Sequence, residues 1–257
     1  MRKSLLALSV LATTIAIPAQ AEYLYGFANM SVNYLDWSSD TTDRSGKEDF
    51  TYLELEGGSG YTWGELYGFA DIENLENGFD EARTSIKGSV AWKTGIEELR
   101  LYAQLYNTNS AGFTAQNTVT GVSYNFSGDN WYFNPWVGFH HTITTNSFQF
   151  DTNGDPLPAK SFSGMNGGMF GWVLGYNFNL GEQKFTLSNW HETEFGRKND
   201  YLAVSGESDD LSMNGAVALW WNATDAVTTG IQYRYADNKL GQTKLDQAVI
   251  YTVKYNF

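Results

Sequence analysis

The sequence predicts an all-β fold: a transmembrane antiparallel β-barrel of about twelve strands, formed by one chain. Three observations predict it. The chain begins with an export signal, its body alternates apolar and polar residues, and it ends in an alternating strand that closes on Phe257. In lipid every backbone N–H and C=O needs an internal partner, and a closed barrel is the only sheet that supplies one.

The first element is a cleavable signal peptide over residues 1–21. Arg2 and Lys3 form its basic start, residues 5–17 are apolar, and residues 19–21 read A-Q-A, a small-residue cleavage site. We expect residues 22–257 to form a single barrel domain, because no linker or composition break divides them. Export combined with a barrel places the protein in the outer membrane of a Gram-negative bacterium, in contact with outer-membrane lipid.

The bulk composition agrees with this fold and excludes other classes. Phe, Trp and Tyr make up 16% of the chain, which suits a barrel with aromatic girdles. There are no cysteines, so disulfide and thiolate chemistry are excluded. A formal net charge of -13 argues against nucleic acid as a partner, since a nucleic-acid binder needs a basic patch.

The strands follow from period-two alternation. Each span is close to the roughly 9–11 residues that a tilted membrane strand requires. The predicted spans are 24–36, 49–57, 62–73, 83–92, 98–107, 116–126, 131–142, 169–178, 184–195, 211–221, 226–236 and 245–257.

The connections between these spans alternate in length. Short turns are predicted at residues 58–60, 93–95, 127–130, 180–182 and 223–225, and longer connections near 37–48, 74–82, 108–115, 143–168, 196–210 and 237–244. Outer-membrane barrels have short periplasmic turns and longer extracellular loops. Since the first connection is long, both termini are expected in the periplasm, where the last strand would meet the barrel-assembly machinery.

Alternation also predicts which face each side chain takes. In the span 98–107, Leu101 and Leu105 would face lipid, whereas Arg100, Tyr102 and Gln104 would face the lumen. Tryptophans prefer the headgroup level. A periplasmic girdle is expected from Trp63, Trp92, Trp131 and Trp221, with Trp37 at the opposite rim.

Two neighbouring stretches resemble a known family. Residues 52–60 read Y-L-E-L-E-G-G-S-G and residues 65–71 read E-L-Y-G-F-A-D. They are similar to the Y-L-E-x-E-x-G-G turn and D-L-Y-G-Y-x-D strand of the Tsx nucleoside-specific channels, in particular OmpK-type members. Glu65 and Phe69 are mild departures from that pattern. Residues 190–196, 230–235 and 255–257 match more generically.

The resemblance implies a twelve-stranded monomeric barrel with a narrow pore that admits nucleosides by diffusion. Some members serve as bacteriophage receptors. A nucleoside offers a flat ring for stacking on aromatics and hydroxyls for hydrogen bonds to charged groups. The candidate solute-binding residues in the lumen are Tyr52, Glu54, Glu56, Tyr67, Phe69, Asp71, Arg83, Lys87, Arg100, Tyr102, Trp190, Glu192 and Arg234. The competing interpretation is that such acids and bases pair across strands and rigidify the wall.

Other site chemistries find little support in the sequence. His140 and His141 would point to opposite faces and cannot share a metal, and residues 151–155 lack the later Glu of a calcium loop. No cofactor is expected. An outer-membrane lipase would need a Ser–His pair facing lipid, and His141 has no convincing Ser partner, so no enzyme activity is expected. A general small-solute porin and a surface receptor or adhesin remain as alternatives.

Overall fold

A computed structural model describes residues 21–78, 81–148, 155 and 157–257. Most of the predicted signal peptide, residues 1–20, lies outside the described residues, as do residues 151–154 of the segment compared with a calcium loop. The described strands form one antiparallel sheet. They are β1 Tyr23–Trp37, β2 Phe50–Tyr61, β3 Gly64–Glu73, β4 Arg83–Lys93, β5 Leu99–Ser110, β6 Phe113–Tyr124, β7 Phe126–Ser127, β8 Trp131–Asn146, β9 Lys160–Leu180, β10 Gln183–Phe195, β11 Ser212–Asn222, β12 Val227–Asp237 and β13 Asp246–Asn256.

The sheet closes into a barrel, which confirms the predicted fold class. Each strand pairs with the next along the chain, except that β6 pairs with β8 instead of β7, and β13 returns to pair with β1. β6 and β7 follow one another along the same edge of β8, so the described residues form a barrel of 12 strands. At the closing seam, Thr252 Oγ1 donates to Asn33 Oδ1 at 2.7 Å on the buried side of the sheet.

The two ends of the barrel differ. We call the end that carries the turns after β2, β4, β7, β9 and β11 the turn end, and the other end the loop end. The connections at the loop end contain two short helices, α1 Ser39–Ser45 and α2 Asn199–Ser205, and a 3₁₀ turn at Leu75–Asn77. No helix in the described part of the chain is long and apolar enough to cross a membrane.

The predicted turn at residues 58–60 is wrong. β2 continues to Tyr61, and the hairpin turns at Thr62 and Trp63. A Cβ on Gly58 would lie 2.7 Å from the ring of Phe27, and one on Gly60 would lie 2.3 Å from the ring of Tyr25. These glycines are therefore strand residues that make room for aromatic rings of β1.

Two predicted long connections are shorter than expected. The connection at 108–115 is a tight turn at Ala111 and Gly112, where the φ of +81° at Gly112 favours glycine. The connection at 143–168 shrinks to residues 147–159, because β8 and β9 extend into a hairpin. The inner side of this extension packs on α2. Its side chains therefore do not show the apolar–polar alternation that is typical of a strand between lipid and a watery lumen.

Trp37 faces inward rather than joining an outer girdle. It packs in a buried cluster with Leu35, Phe50, Ala248 and Ile250 inside the loop end. At the turn end, Trp63 and Trp92 lie in contact, with ring centroids 4.8 Å apart.

Candidate functional site: the barrel interior

A contact across the barrel identifies the interior face. Lys87 Nζ on β4 donates to Glu192 Oε1 on β10 at 2.6 Å, and Gln104 Nε2 on β5 donates to the same oxygen at 3.0 Å. Because β10 is not a neighbour of β4 or β5 in the sheet, these bonds cross the interior. Successive side chains of a strand alternate between faces, so this contact fixes the facing along all three strands. We call these three residues the transverse bridge.

Glu56 on β2 is a fully paired carboxylate of the inner wall. Its Oε1 accepts from the Tyr67 hydroxyl at 2.9 Å, and its Oε2 accepts from Asn29 Nδ2 and Lys254 Nζ, each at 3.1 Å. The Lys254 ammonium also lies 4.3 Å from the ring centroid of Trp220. The charge of Glu56 is thus balanced within the wall.

Glu54 and Asp71 form a less balanced pair. They are direct cross-strand partners on β2 and β3, and like charges placed opposite each other are unfavourable. The Ser31 hydroxyl donates to Glu54 at 3.4 Å, whereas Oδ1 of Asp71 is buried without a hydrogen-bond partner. Neither carboxyl group forms an ion pair within the described residues, unlike Glu56 with Lys254.

Ion pairs lie toward both ends of the interior. Toward the loop end, Arg83 pairs with Glu73. Toward the turn end, Arg100 Nη2 lies 2.8 Å from Glu98 Oε2 and 3.4 Å from Glu65 Oε1. These pairings agree with the interpretation that interior charges rigidify the wall.

A stacked aromatic pair lies beside the transverse bridge. The rings of Tyr102 and Trp136 have centroids 5.2 Å apart with an interplanar angle of 20°. The Tyr102 hydroxyl donates to Gln104 Oε1 at 2.7 Å, which joins the pair to the bridge. Val119 and Met169 pack behind it.

Further aromatic rings surround the passage. The ring of Phe69 lies 6.4 Å from those of Tyr67 and Tyr106. Across the barrel, the Arg234 guanidinium lies 4.9 Å from the ring centroid of Trp190, the inward neighbour of Glu192 along β10. Aromatic faces and charged groups therefore alternate around the interior.

The structure places every predicted solute-binding residue on the interior face, and their contact with solute stays a prediction. The sequence analysis assigns Gln104 to the lumen, but its solute-binding candidates do not include Gln104, Trp136, Lys254 or Trp220, although each takes part in the contacts above. Alternation through Trp136, Gly138 and His140 could have assigned Trp136 to the lumen. Nothing in the sequence signals the pairing of Lys254 with Trp220, because these residues lie on strands that are not neighbours.

The connection after β1 folds inward at the loop end. Arg44, in the last turn of α1, donates from Nη2 to Asp246 Oδ1 at 3.1 Å, and Lys47 also pairs with this carboxylate. The Lys47 ammonium lies 4.9 Å from the ring centroid of the inward-facing Trp37. Burial lowers the pKa of Lys47 against the opposing effect of Asp246.

The connection after β10 also folds inward. Asn146 Nδ2 donates to the carbonyl of Val204 at 3.0 Å, and the ring of Tyr201 meets that of Phe162 edge-on at 5.8 Å. Asn146 shares the inner face with the buried Thr142 and Thr144. The helix α2 therefore covers the inner side of the β8–β9 hairpin.

Among the described residues, no group of three or more His, Asp or Glu side chains is arranged to hold a metal ion. The groups that face the interior are instead hydrogen-bonding acids, bases and amides interleaved with aromatic rings. Such a wall can bind small polar solutes weakly and in several places.

A closed barrel with a polar and aromatic interior defines a transmembrane channel of the outer membrane. Residues 32–257 match the family described as "Nucleoside-specific channel-forming protein, Tsx". The chain belongs to this family, and the resemblance drawn from residues 52–71 is confirmed.

Solved structures of similar fold include other outer-membrane channels. The NanC porin is 13% identical, with a TM-score of 0.52 over 89% of this chain and 100% of that chain. The KdgM porin is 9% identical, with a TM-score of 0.45 over 88% and 99% of the two chains. An outer membrane channel from Pseudomonas putida F1 is 11% identical, with a TM-score of 0.47 over 94% and 99%. The likeness to NanC shows the fold alone.

Proposed function

We propose that this channel admits nucleosides and similar small polar solutes by passive diffusion. The proposal rests on one observation: a pair of stacked aromatic rings lies directly beside hydrogen-bonding side chains. Tyr102 and Trp136 stack at 5.2 Å, and the bridge residue Gln104 accepts a hydrogen bond from Tyr102. A flat base suits the ring faces, and ribose hydroxyls suit the amide and carboxylate oxygens.

The mechanism is a series of weak sites along the interior. A base would pack against the Tyr102 and Trp136 pair or beside Trp190. Its sugar would exchange water for hydrogen bonds to Glu54 and Asp71, which are cross-strand partners. A channel needs binding that is weak and repeated, because a tight site would hold the solute. The transverse bridge crosses the interior and supplies further polar groups along the passage.

The proposal includes an orientation and an assembly route. The loop end would face the exterior and both termini the periplasm, in keeping with the short turns and longer loops of outer-membrane barrels. Val253 and Tyr255 on β13, with Phe257 directly after it, form an exposed apolar row that the barrel-assembly machinery would recognise. Cleavage of residues 1–21 on export belongs to the same proposal.

The first test measures solute passage through the purified protein. Liposome swelling and single-channel current would compare adenosine and thymidine with sugars and amino acids of similar size. Faster nucleoside passage, or current block by nucleosides alone, supports the proposal. Equal passage of all solutes would leave a general porin, and no passage at all would favour a surface receptor.

A variant pair tests the stacking site. Tyr102→Leu removes an inward ring, whereas Tyr176→Leu removes an exposed tyrosine on the outer face of β9. Stacking contributes roughly 1–3 kcal/mol per base, so Tyr102→Leu should weaken nucleoside block of the current by roughly tenfold or more. Equal block in the two variants would place the binding elsewhere in the lumen.

Phage adsorption is a second role that the inward-folded loop end supports, because α1 and α2 give it a fixed surface. Cells that express the protein, with residues 196–210 replaced by a short linker, would be compared with cells that carry the complete chain. Loss of adsorption with channel current retained would support a receptor role at that end.

A further inference from the structure

The inner side of the β8–β9 hairpin is covered, although its outer side is open. Thr142 and Thr144 are 1% and 2% exposed, whereas the intervening Ile143 is 43% exposed. In an open barrel of this size the inner side chains would face water. The covering segment is residues 196–211, which contains α2 and which we call the cap segment.

The cap segment is held by a cluster of buried charges. Arg197 pairs with Glu207 inside the segment and donates from Nη2 to the carbonyl of Asn238 at 3.2 Å. Glu194, at the end of β10, lies 3.6 Å from Arg197 Nη1 and pairs with Lys239. The side chains of Arg197, Glu194 and Glu207 are at most 3% exposed. A buried charge that loses its partner is strongly unfavourable, so the members of such a cluster hold each other in place.

Residues 238–245, the connection between β12 and β13, join this cluster to the rest of the loop end. Asn238 Nδ2 donates to the carbonyl of Leu211 at 2.7 Å, and the backbone N–H of Gly241 donates to Glu207 Oε1 at 3.3 Å. At the other end of the connection, Leu245 accepts from Arg44 Nη2 at 2.7 Å. Lys239 is therefore the side chain that joins this connection to β10 through its ion pair with Glu194.

The backbone of the connection is fixed in an uncommon conformation. Asn238 has φ +48° and Leu240 has φ +59°, in the left-handed region that a leucine rarely adopts. Such conformations persist only where surrounding contacts hold them. The contacts of Asn238 and Lys239 meet that requirement.

We propose that Lys239 is a positioning residue that fixes the cap segment over the loop-end mouth and thereby sets the size limit of the channel. The proposal goes beyond solute preference, because it concerns the width of the mouth for any solute. It rests on the protein being a channel, and not on selectivity for nucleosides.

The test uses the full mature chain in planar bilayers and liposomes. Lys239→Met keeps the length of the side chain and removes its charge, and Lys244→Met is the matched control at an exposed lysine of the same connection. Lys239→Met should raise single-channel conductance at least about twofold and admit neutral oligosaccharides that the wild type excludes, since buried Glu194 loses its lysine partner and keeps only the 3.6 Å contact with Arg197. Lys244→Met should match the wild type. Unchanged conductance and unchanged sugar exclusion in Lys239→Met would overturn the proposal.

Proteolysis gives a second readout that does not depend on transport. In intact proteoliposomes, trypsin should cleave after Arg197 in Lys239→Met and leave this site uncut in the wild type and in Lys244→Met, where its side chain is buried. Lys239→Arg keeps the charge and should restore both protection and conductance. Heat-dependent mobility in a denaturing gel shows whether Lys239→Met is properly folded. If the folded variant stays uncut, the proposed role of Lys239 is wrong. If Lys239→Met does not fold, Glu194→Gln takes its place with the same expected results.

Discussion

At the scale of single residues, the transverse bridge ties opposite walls of the barrel through one carboxylate. Glu192 keeps only Gln104 as a partner if Lys87 is removed. Loss of one partner from a fully buried ion pair costs about 3–5 kcal/mol. Since the Lys87 side chain is 17% exposed and Gln104 remains bonded, we expect Lys87→Met to lower the free energy of unfolding by about 2 kcal/mol.

The control for this prediction is Lys184→Met. Lys184 lies at the turn end with its side chain 69% exposed and only a 4.0 Å contact to Asp225. An exposed pair of this kind contributes about 0–1 kcal/mol. Urea unfolding in detergent micelles, followed by tryptophan fluorescence, measures both variants. Equal midpoints would show that the bridge does not stabilise the barrel.

Lys239 leads to a prediction about pH. Burial acts to lower the pKa of Lys239, but the carboxylate of Glu194 outweighs burial and raises that pKa above the usual 10.5. A lysine with a raised folded pKa stabilises the fold fully below its unfolded pKa and loses this effect only as pH rises through the folded value. Channel conductance and trypsin protection after Arg197 should therefore be unchanged between about pH 7 and about pH 9. An opening of the mouth within this range would contradict the assignment.

At the scale of elements, β6 and β8 approach each other through a pair of glycines. Gly121 and Gly138 are direct cross-strand partners. A Cβ on Gly121 would lie 2.0 Å from the carbonyl oxygen of Val137, which is backbone and cannot move without disturbing the pairing. Gly121→Ala should lower the free energy of unfolding by roughly 3 kcal/mol, at the upper end for an overpacked site.

Gly88→Ala on β4 is the matched control for Gly121→Ala. Nothing lies within 4 Å of a Cβ built at Gly88, so this variant should unfold close to the wild-type midpoint. Both variants can be compared by urea unfolding in micelles. A similar loss of stability in both variants would mean that the close approach of β6 and β8 is not the reason that Gly121 is needed.

Strands could be predicted from the sequence wherever one of their faces meets lipid and the other faces the lumen. In β5 the alternation of Leu101 and Leu105 with Arg100 and Gln104 gave the strand and its facing. The rule failed where another part of the chain covers a strand, as in the β8–β9 extension under α2. It also fails where glycine serves packing: the glycines at residues 57–60 predict a turn, but Gly58 lies in β2 and makes room for Phe27.

The helices at the loop end have capping residues that can be recognised in the sequence, although the apolar–polar alternation does not reveal them. Ser38 accepts from the N–H of Thr41 as a cap of α1, and Gly46 ends this helix with φ +67°. A search for a capping serine followed by a closing glycine would have found α1. Gly206 ends α2 in the same way, with φ +79°. The inward course of both helices depends on partners such as Asp246 and Asn146, which lie far away in sequence.

At the scale of the whole molecule, ion pairs cover most of the carboxylates that face the interior. Inward acids on the described strands are Glu54, Glu56, Glu65, Asp71, Glu73, Glu192, Glu194 and Asp246, and all except Glu54 and Asp71 pair with Arg44, Lys47, Arg83, Lys87, Arg100, Arg197, Lys239 or Lys254. A carboxyl pair without cationic partners attracts cations, because the low-dielectric walls of a narrow lumen focus its field. The formal net charge of -13 for the full chain adds to this field.

The acidic pair of Glu54 and Asp71 predicts a cation-selective channel. In a KCl gradient across a planar bilayer, the reversal potential should have the sign of K⁺ permeation, and it should shrink from about 0.1 M to about 1 M salt as screening shortens the range of the wall charges. Glu54→Gln combined with Asp71→Asn removes both carboxylates of the pair and should reduce the selectivity, whereas Asp225→Asn at the exposed turn end should leave it unchanged. An anion-selective potential would mean that the paired acids are neutralised in place and that the inward bases dominate the field that a solute meets.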